Sequence, residues 1–322
     1  MRTLAIPVAA GAGRVLCSTI FRATGRKLLA KGHILADEDV KMLEHEGLGE
    51  IWVTELEADE LDEDEAVLEV ASAAASGAVE LRPALGGRVN VFATEDGAFL
   101  VNTDLLRGVN SSESVAVATL APYSLVTRGQ RVASIKSRPF AVRRAGLAEI
   151  LRGLTPDLLR VQPIRQAKVG VLLTDPLQPD RAAEQFWHVI RQRLEPMAGT
   201  TCFYAKSVEE DQSLIRSLLH LRRSKPTVIL VASTTAPAGP EDAVGRAIVA
   251  VGGRVERFLM PVEPGNLGLL AYWDGVSVLA APGCFRSGKP NFLNIVMPPL
   301  LAGHPITSRE IAGMGPGGLL GN

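Results

Sequence analysis

The stretch Lys168-Val-Gly-Val-Leu-Leu173, closed by Thr174-Asp175-Pro176, decides the fold. A short apolar run rich in β-branched residues and ended by a proline reads as a buried strand. Beyond Pro176, helical and strand patterns alternate. An amphipathic helical pattern covers 182–194, Thr201-Cys-Phe-Tyr-Ala205 is a strand, and 208–221 is helical again. Thr227-Val-Ile-Leu-Val-Ala232 is a third strand, and 240–251 is a helix with Pro240 in its first turn. Strands joined by helices of about ten residues or more imply an α/β fold with a doubly wound, mostly parallel sheet. Further strands are expected at 255–260, 267–272 and 276–280. A closing helix is expected at 291–301, broken near Pro298-Pro299. In such sheets ligands bind beyond the carboxyl ends of the strands. That directs attention to Thr174-Asp-Pro176, to 233–239 and to 282–290.

N-terminal to this region the period changes, and 1–166 reads as a mixed α+β, β-rich domain ahead of an α/β domain at 167–303. Asp37 is a plausible N-cap for a helix to His45, Glu50-Ile-Trp-Val-Thr54 alternates like a strand, and 62–75 is a helix closed by Gly77. Arg88-Val-Asn-Val-Phe-Ala93 and Ala98-Phe-Leu-Val101, joined through Glu95-Asp-Gly97, are expected to form a hairpin. Val115-Ala-Val-Ala-Thr-Leu120 and Gln130-Arg-Val-Ala-Ser-Ile135 continue the β pattern. The tail 304–322 carries Gly313, Gly315, Gly317, Gly318 and Gly321 and is expected to be loosely packed.

Composition narrows the function. The chain has 322 residues, 47% hydrophobic and 21% charged, which at roughly 150 residues per domain suggests two globular domains. No apolar run approaches the roughly 20 residues of a membrane span, and Leu4-Ala-Ile-Pro-Val-Ala-Ala10 is a poor signal peptide, so a cytoplasmic protein is expected. Cys17, Cys202 and Cys284 lie far apart, and the histidines show no ligand spacing, which speaks against disulfides and structural zinc. The segment 36–69 holds fifteen acids and one base, leaving 33 bases against 20 acids elsewhere. A basic remainder favours an anionic ligand. The acidic segment reads as solvated helix faces with carboxylates near helix N-termini, or as a cation site. Aromatics at 5% among dispersed bases argue against a nucleic-acid partner.

The loops carry the candidate chemistry. Gly283-Cys-Phe-Arg-Ser-Gly-Lys-Pro290 nearly matches the phosphate-cradling GxxxxGK[ST] pattern, but Pro290 has neither a hydroxyl for Mg²⁺ nor a backbone N–H. Arg286, Ser287 and Lys289 before a helix still suit a phosphate or carboxylate; the plainer reading is a surface turn. Ser233-Thr-Thr-Ala-Pro-Ala-Gly-Pro-Glu-Asp242 sets hydroxyls before a helix, where an oxyanion would fit, while Asp242 also suits a dipole-compensating role. In Pro261-Val-Glu-Pro-Gly-Asn-Leu267, Gly265 allows close backbone approach.

Together these loops resemble the molybdopterin-binding domain shared by molybdopterin adenylyltransferases and molybdopterin molybdotransferases. The resemblance rests on Gly239 and Asp242 within Thr234-Thr-Ala-Pro-Ala-Gly-Pro-Glu-Asp242, on Pro264-Gly-Asn-Leu267, and on Pro282-Gly-Cys-Phe285. Gly252-Gly-Arg-Val-Glu256 and Leu300-Leu-Ala-Gly303 flank them. Met260-Pro-Val-Glu-Pro-Gly-Asn-Leu267 and Ala281-Pro-Gly-Cys-Phe-Arg-Ser287 look like a bacterial subgroup often fused to a nucleotidyltransferase-like module. The sequence departs from the family where Thr234 and Thr235 replace paired glycines, Pro237 a serine and Asn266 a lysine, and where Leu173-Thr-Asp-Pro-Leu177 lacks a glutamate. The resemblance implies a protein that binds molybdopterin or molybdenum cofactor and serves its biosynthesis, transfer or loading. Gly239 and the hydroxyls of Ser233, Thr234 and Thr235 would hold the terminal phosphate. Gly265, Asn266, Gly283, Arg286, Ser287 and Lys289 would line the pterin and phosphate side, with Thr174, Pro264 and Cys284 also among the cofactor-binding residues. Asp175 and Asp242 would hold Mg²⁺ or polarise the phosphate, with Asp242 the catalytic residue of a transferase. The alternatives are an active Mg²⁺-dependent transferase and a non-catalytic sensor or scaffold that meets a molybdoenzyme or its chaperone through 36–69. A homodimer is implied by the resemblance alone.

Overall fold

The computed structural model describes residues 1–138, 140–197, 199–235, 239–281, 283 and 288–320. The chain folds as two compact units. One comprises Met1–Phe92, Asn102–Thr119 and Arg131–Leu159; the other comprises Ala93–Val101, Leu120–Gln130 and Arg160–Asn322. No described helix is long and apolar enough to cross a membrane.

The second unit is built on a six-stranded sheet. Its order is Thr201–Val208, Lys168–Asp175, Val228–Ser233, Val276–Ala281, Leu269–Trp273, Arg254–Phe258. The first four strands run parallel and the last two antiparallel to their neighbours, so the sheet is mixed. The reversal follows from chain length: Asp274-Gly275 allows only a tight turn, whereas a parallel crossover needs a dozen residues or more. The parallel strands are apolar throughout because both their faces are covered. Val169, Val171 and Leu173 pack with Phe186 and Ile190 of helix Pro179–Leu194 and with Val296 and Leu300 of helix Leu293–Leu301. Leu172 and Val231 point the other way, to Leu214 and Leu218 of helix Asp211–Arg223 and to Ala247 and Ile248 of helix Ala243–Ala250. Phe186 is fully buried; truncating such a residue to alanine costs about 3–5 kcal/mol.

Three local expectations change. The helix Leu293–Leu301 continues through Pro298 and Pro299, and the Ala302 amide donates to the Pro298 carbonyl at 3.0 Å. The segments Arg88–Ala93 and Gly97–Val101 do not pair as a hairpin: the first pairs with Arg131–Ser137, the second with Leu125–Val126. Gly97–Val101 is buried at every position rather than alternately, and a Cβ on Gly97 would lie 2.2 Å from the Gln162 carbonyl oxygen. The glycine-rich tail is pinned rather than loose. Thr307 and Glu310 form a capping box on helix Ser308–Ala312, Ile306 and Ile311 are buried, and the Glu263 amide donates to the Gly318 carbonyl at 2.8 Å.

In the first unit, Arg2–Pro7 and Val15–Leu16 flank Glu50–Glu55, and a four-stranded sheet runs Val115–Thr119, Arg131–Ser137, Arg88–Ala93, Val79–Ala84. Helix Glu63–Ala74 is capped by Asp62, which accepts from the Asp64 amide at 2.8 Å. Its neighbour Glu63 departs from the expectation of a solvated acidic face. It is buried and accepts from the Phe140 amide at 2.8 Å, holding a residue whose φ is 69°.

Candidate functional site

The register of the second unit's sheet brings the motif-bearing loops to one edge. Strand Lys168–Asp175 ends beside Val208 on one side, where Asp175 pairs with Val208, and beside Ser233 on the other, where Thr174 pairs with Ser233. Ala232 lies opposite Ala281, Leu269 opposite Ala280, and Phe258 opposite Leu269. The loops after 175, 208, 233, 258 and 281 therefore all leave from the edge that holds the carboxyl ends of the parallel strands. Within that edge, strand Lys168–Asp175 is flanked by the two strands that come after it in the chain, one on each side, which is the switch point where open α/β sheets bind ligands.

At the switch point two carboxylates gather the hydroxyls. Asp175 is buried. Its Oδ1 accepts from the amides of Leu177 at 2.9 Å and Gln178 at 2.8 Å, and its Oδ2 accepts from Thr234 Oγ1 at 2.7 Å. These donors, led by the Gln178 amide, draw its carboxyl down to about 2 against the opposing effect of burial. Pro176 favours this turn, since an aspartate bonding backbone amides two and three residues on is a local alternative to a continuing strand. Glu209 collects the remaining hydroxyls. Thr174 Oγ1 donates to Oε1 at 2.8 Å, Ser233 Oγ donates to the same oxygen, and Thr235 Oγ1 donates to Oε2 at 2.7 Å. The Thr235 amide donates to Ser233 Oγ at 2.9 Å, and the Thr234 amide to the Thr174 carbonyl at 3.0 Å.

Thr174, Asp175, Ser233, Thr234 and Thr235 thus form one network, and sequence reasoning missed its centre, Glu209. Strand Thr201–Val208 runs past Ala205 through Lys206-Ser207-Val208, which places Glu209 at a strand end instead of inside a helix. Chemically the cluster is rich in acceptors, because its hydroxyl protons point to Asp175 and Glu209. It matches N–H and O–H donors of a polar heterocycle better than a bare phosphate.

The other candidates lie on the neighbouring loops of the same edge. Asp242 is the N-cap of helix Ala243–Ala250, its Oδ1 accepting from the Gly245 amide at 2.8 Å. Gly239 is buried with φ 152°, and its carbonyl accepts from the Asp242 amide at 3.3 Å. Pro264 follows a cis peptide bond. Gly265 has φ 119°, and a Cβ there would lie 2.4 Å from Phe292 Cδ1; the exposed Asn266 accepts the Met260 amide on its carbonyl at 2.8 Å. Gly283 is half-buried, and the exposed Lys289 accepts Arg193 Nη2 on its carbonyl at 2.6 Å. Cys284, Arg286 and Ser287 lie outside the described residues. Among the described residues no three His, Cys, Asp or Glu side chains come together as metal ligands. Asp175 is committed to amides and a threonine, and Asp242 to a helix cap. Both aspartates thus already accept hydrogen bonds from protein donors, and Arg181 Nε stands 3.9 Å from Asp175 Oδ2.

No family model matches the chain, and no curated protein matches it. Among solved structures, a molybdopterin biosynthesis MoeA protein from Pyrococcus horikoshii aligns at 15% identity over 78% of this chain and 81% of that one, with a TM-score of 0.32. A MoeA protein of Pyrococcus horikoshii OT3 aligns at 10% identity over 97% and 75%, with a TM-score of 0.25. Both of these structural neighbours are MoeA molybdopterin biosynthesis proteins.

Proposed function

We propose that the carboxyl-edge loops of the second unit bind a molybdopterin-class ligand, the free pterin or the molybdenum cofactor, and that the protein serves the biosynthesis, transfer or loading of that cofactor. The observation that carries this reading is that Thr174, Asp175, Ser233, Thr234 and Thr235, at strand ends where the sequence resembles the molybdopterin-binding domain, converge at a sheet switch point around Glu209 from the neighbouring strand end. Glu209 and the hydroxyl oxygens of Thr234 and Thr235, which reach the surface, are the acceptors for the ring N–H groups, with buried Asp175 holding Thr234 in place, while Arg286 and Lys289 on the loop after Ala281 supply positive charge.

Titration of the purified full chain with molybdopterin, followed by fluorescence, tests the reading. Saturable binding at micromolar concentration is expected. Thr234→Val, Arg286→Ala and Lys289→Ala should each weaken it. No binding at that concentration would overturn the proposal. Turnover of adenylylated molybdopterin that Asp242→Asn reduces would favour the transferase instead.

A further inference from the structure

Beside the switch point lies an open polar cleft of about 390 Å³, lined by Pro179, Asp180, Lys206, Ser207, Ser213 and Arg216. It continues from the same two loops, since Gln178 bonds Asp175 just before Pro179, and Ser207 stands two residues before Glu209. Three features give it a chemical preference. Arg216 is exposed and makes no ion pair among the described residues; its guanidinium only donates to Ser213 Oγ, at 3.1 Å. Lys206 is held by Asp180, an exposed carboxylate that already occupies part of the cleft as an anion. Helices Pro179–Leu194 and Asp211–Arg223 both begin at the cleft, each with an acid in its first turn, Asp180 and Asp211; the N-cap residues make no side-chain cap, and Ser213 Oγ donates to Glu210 Oε2 at 3.5 Å.

From this geometry we infer that the cleft is a binding site for a phosphate-class oxyanion, with Arg216 and Lys206 as its cationic ligands and Asp180 as the internal anion that the ligand displaces from Lys206. The inference rests on the proposed function and extends it. The acceptor-rich cluster at Asp175 and Glu209 takes the donor face of a ligand, and the adjoining cleft takes its phosphoryl group. A guanidinium forks onto two phosphate oxygens, and hydroxyls and helix-terminal amides complete such a site without a metal.

The test uses inorganic phosphate and the full chain, with calorimetry or phosphorus NMR at fixed ionic strength. Wild type should bind saturably. Arg216→Gln and Lys206→Met should each weaken binding about tenfold, the worth of one charge-assisted hydrogen bond. Asp180→Asn should tighten it, because the competing carboxylate is gone; a general loss of surface charge or a folding defect would not. An unchanged thermal midpoint in each variant establishes that the fold is kept. Absence of saturable binding in both wild type and Asp180→Asn would overturn the inference, as would affinity indifferent to Arg216 and Lys206, which marks an adventitious ion only. Thr234→Val separates the two readings. It should weaken molybdopterin binding and leave phosphate binding intact. Absence of molybdopterin binding in a protein that still binds phosphate at Arg216 refutes the pterin reading alone, and the converse refutes the cleft alone.

Discussion

Gly265 offers a sharp test of what a motif residue does. Its φ is 119°, and an added Cβ would stand 2.4 Å from Phe292 Cδ1 and 3.2 Å from Phe292 Cβ. Phe292 cannot move aside easily: it is fully buried among Met260, Val262 and Leu293, and its amide donates to the Pro264 carbonyl at 3.2 Å. Gly265→Ala therefore carries two costs, about 1–3 kcal/mol for overpacking and about 1–3 kcal/mol for holding a side chain at that φ. A centre of about 4 kcal/mol for the two together corresponds to a fall of about 8–16 °C in Tm for a unit of this size. The assay is thermal unfolding of Gly265→Ala, Phe292→Leu and the double variant. Shortening the ring relieves the clash, so the double variant should be more stable than the sum of single effects by about 1 kcal/mol or more. A Tm within about 1 °C of wild type, or strict additivity, would refute the reasoning. The glycine would then be free of Phe292, and its place in the Pro264-Gly-Asn266 loop would have to be explained by ligand approach alone.

Other predictions concern the same edge. Asp175 is held at about 2 against an ordinary value of 3.8, so the stabilisation it gives is present above that ordinary value and is lost as pH falls from it towards about 2. Wild-type Tm should drop over that window and Asp175→Asn should show a flatter acid limb; parallel limbs would contradict the hydrogen-bonding account. Asp242→Ala removes the cap on helix Ala243–Ala250 and should cost about 0.5–2 kcal/mol in denaturant unfolding. An unchanged midpoint would mean that the Gly245 amide finds another acceptor.

Much of the α/β unit was legible because its strands are buried on both faces. The runs at 168–173, 227–232 and 276–280 are apolar almost without interruption, and the helices between them carry one apolar stripe each. The misreadings have physical causes. The 88–101 segment looked like a hairpin because local turn chemistry at Glu95-Asp-Gly97 is compatible with one, but Gly97 instead accepts close approach by the Gln162 backbone, a contact 65 residues away in sequence that no local pattern announces. The tail looked loose because glycines dominate it. A Cβ on Gly318 would lie 2.3 Å from the Pro261 carbonyl oxygen, so that glycine marks tight packing, and Thr307 with Glu310 was a readable cap. At the site, Thr174, Asp175 and Ser233 to Thr235 were visible as polar residues ending apolar strands. Glu209 was not, because only the parallel pairing of Asp175 with Val208 brings it to them.

The most direct test of the central claim locates the ligand. Hydrogen–deuterium exchange of the full chain with and without molybdopterin should show protection concentrated at 174–178, 207–210, 233–235 and 261–268. Protection confined to other segments, or none under conditions that saturate binding, would contradict the assignment of the carboxyl edge as the pterin site.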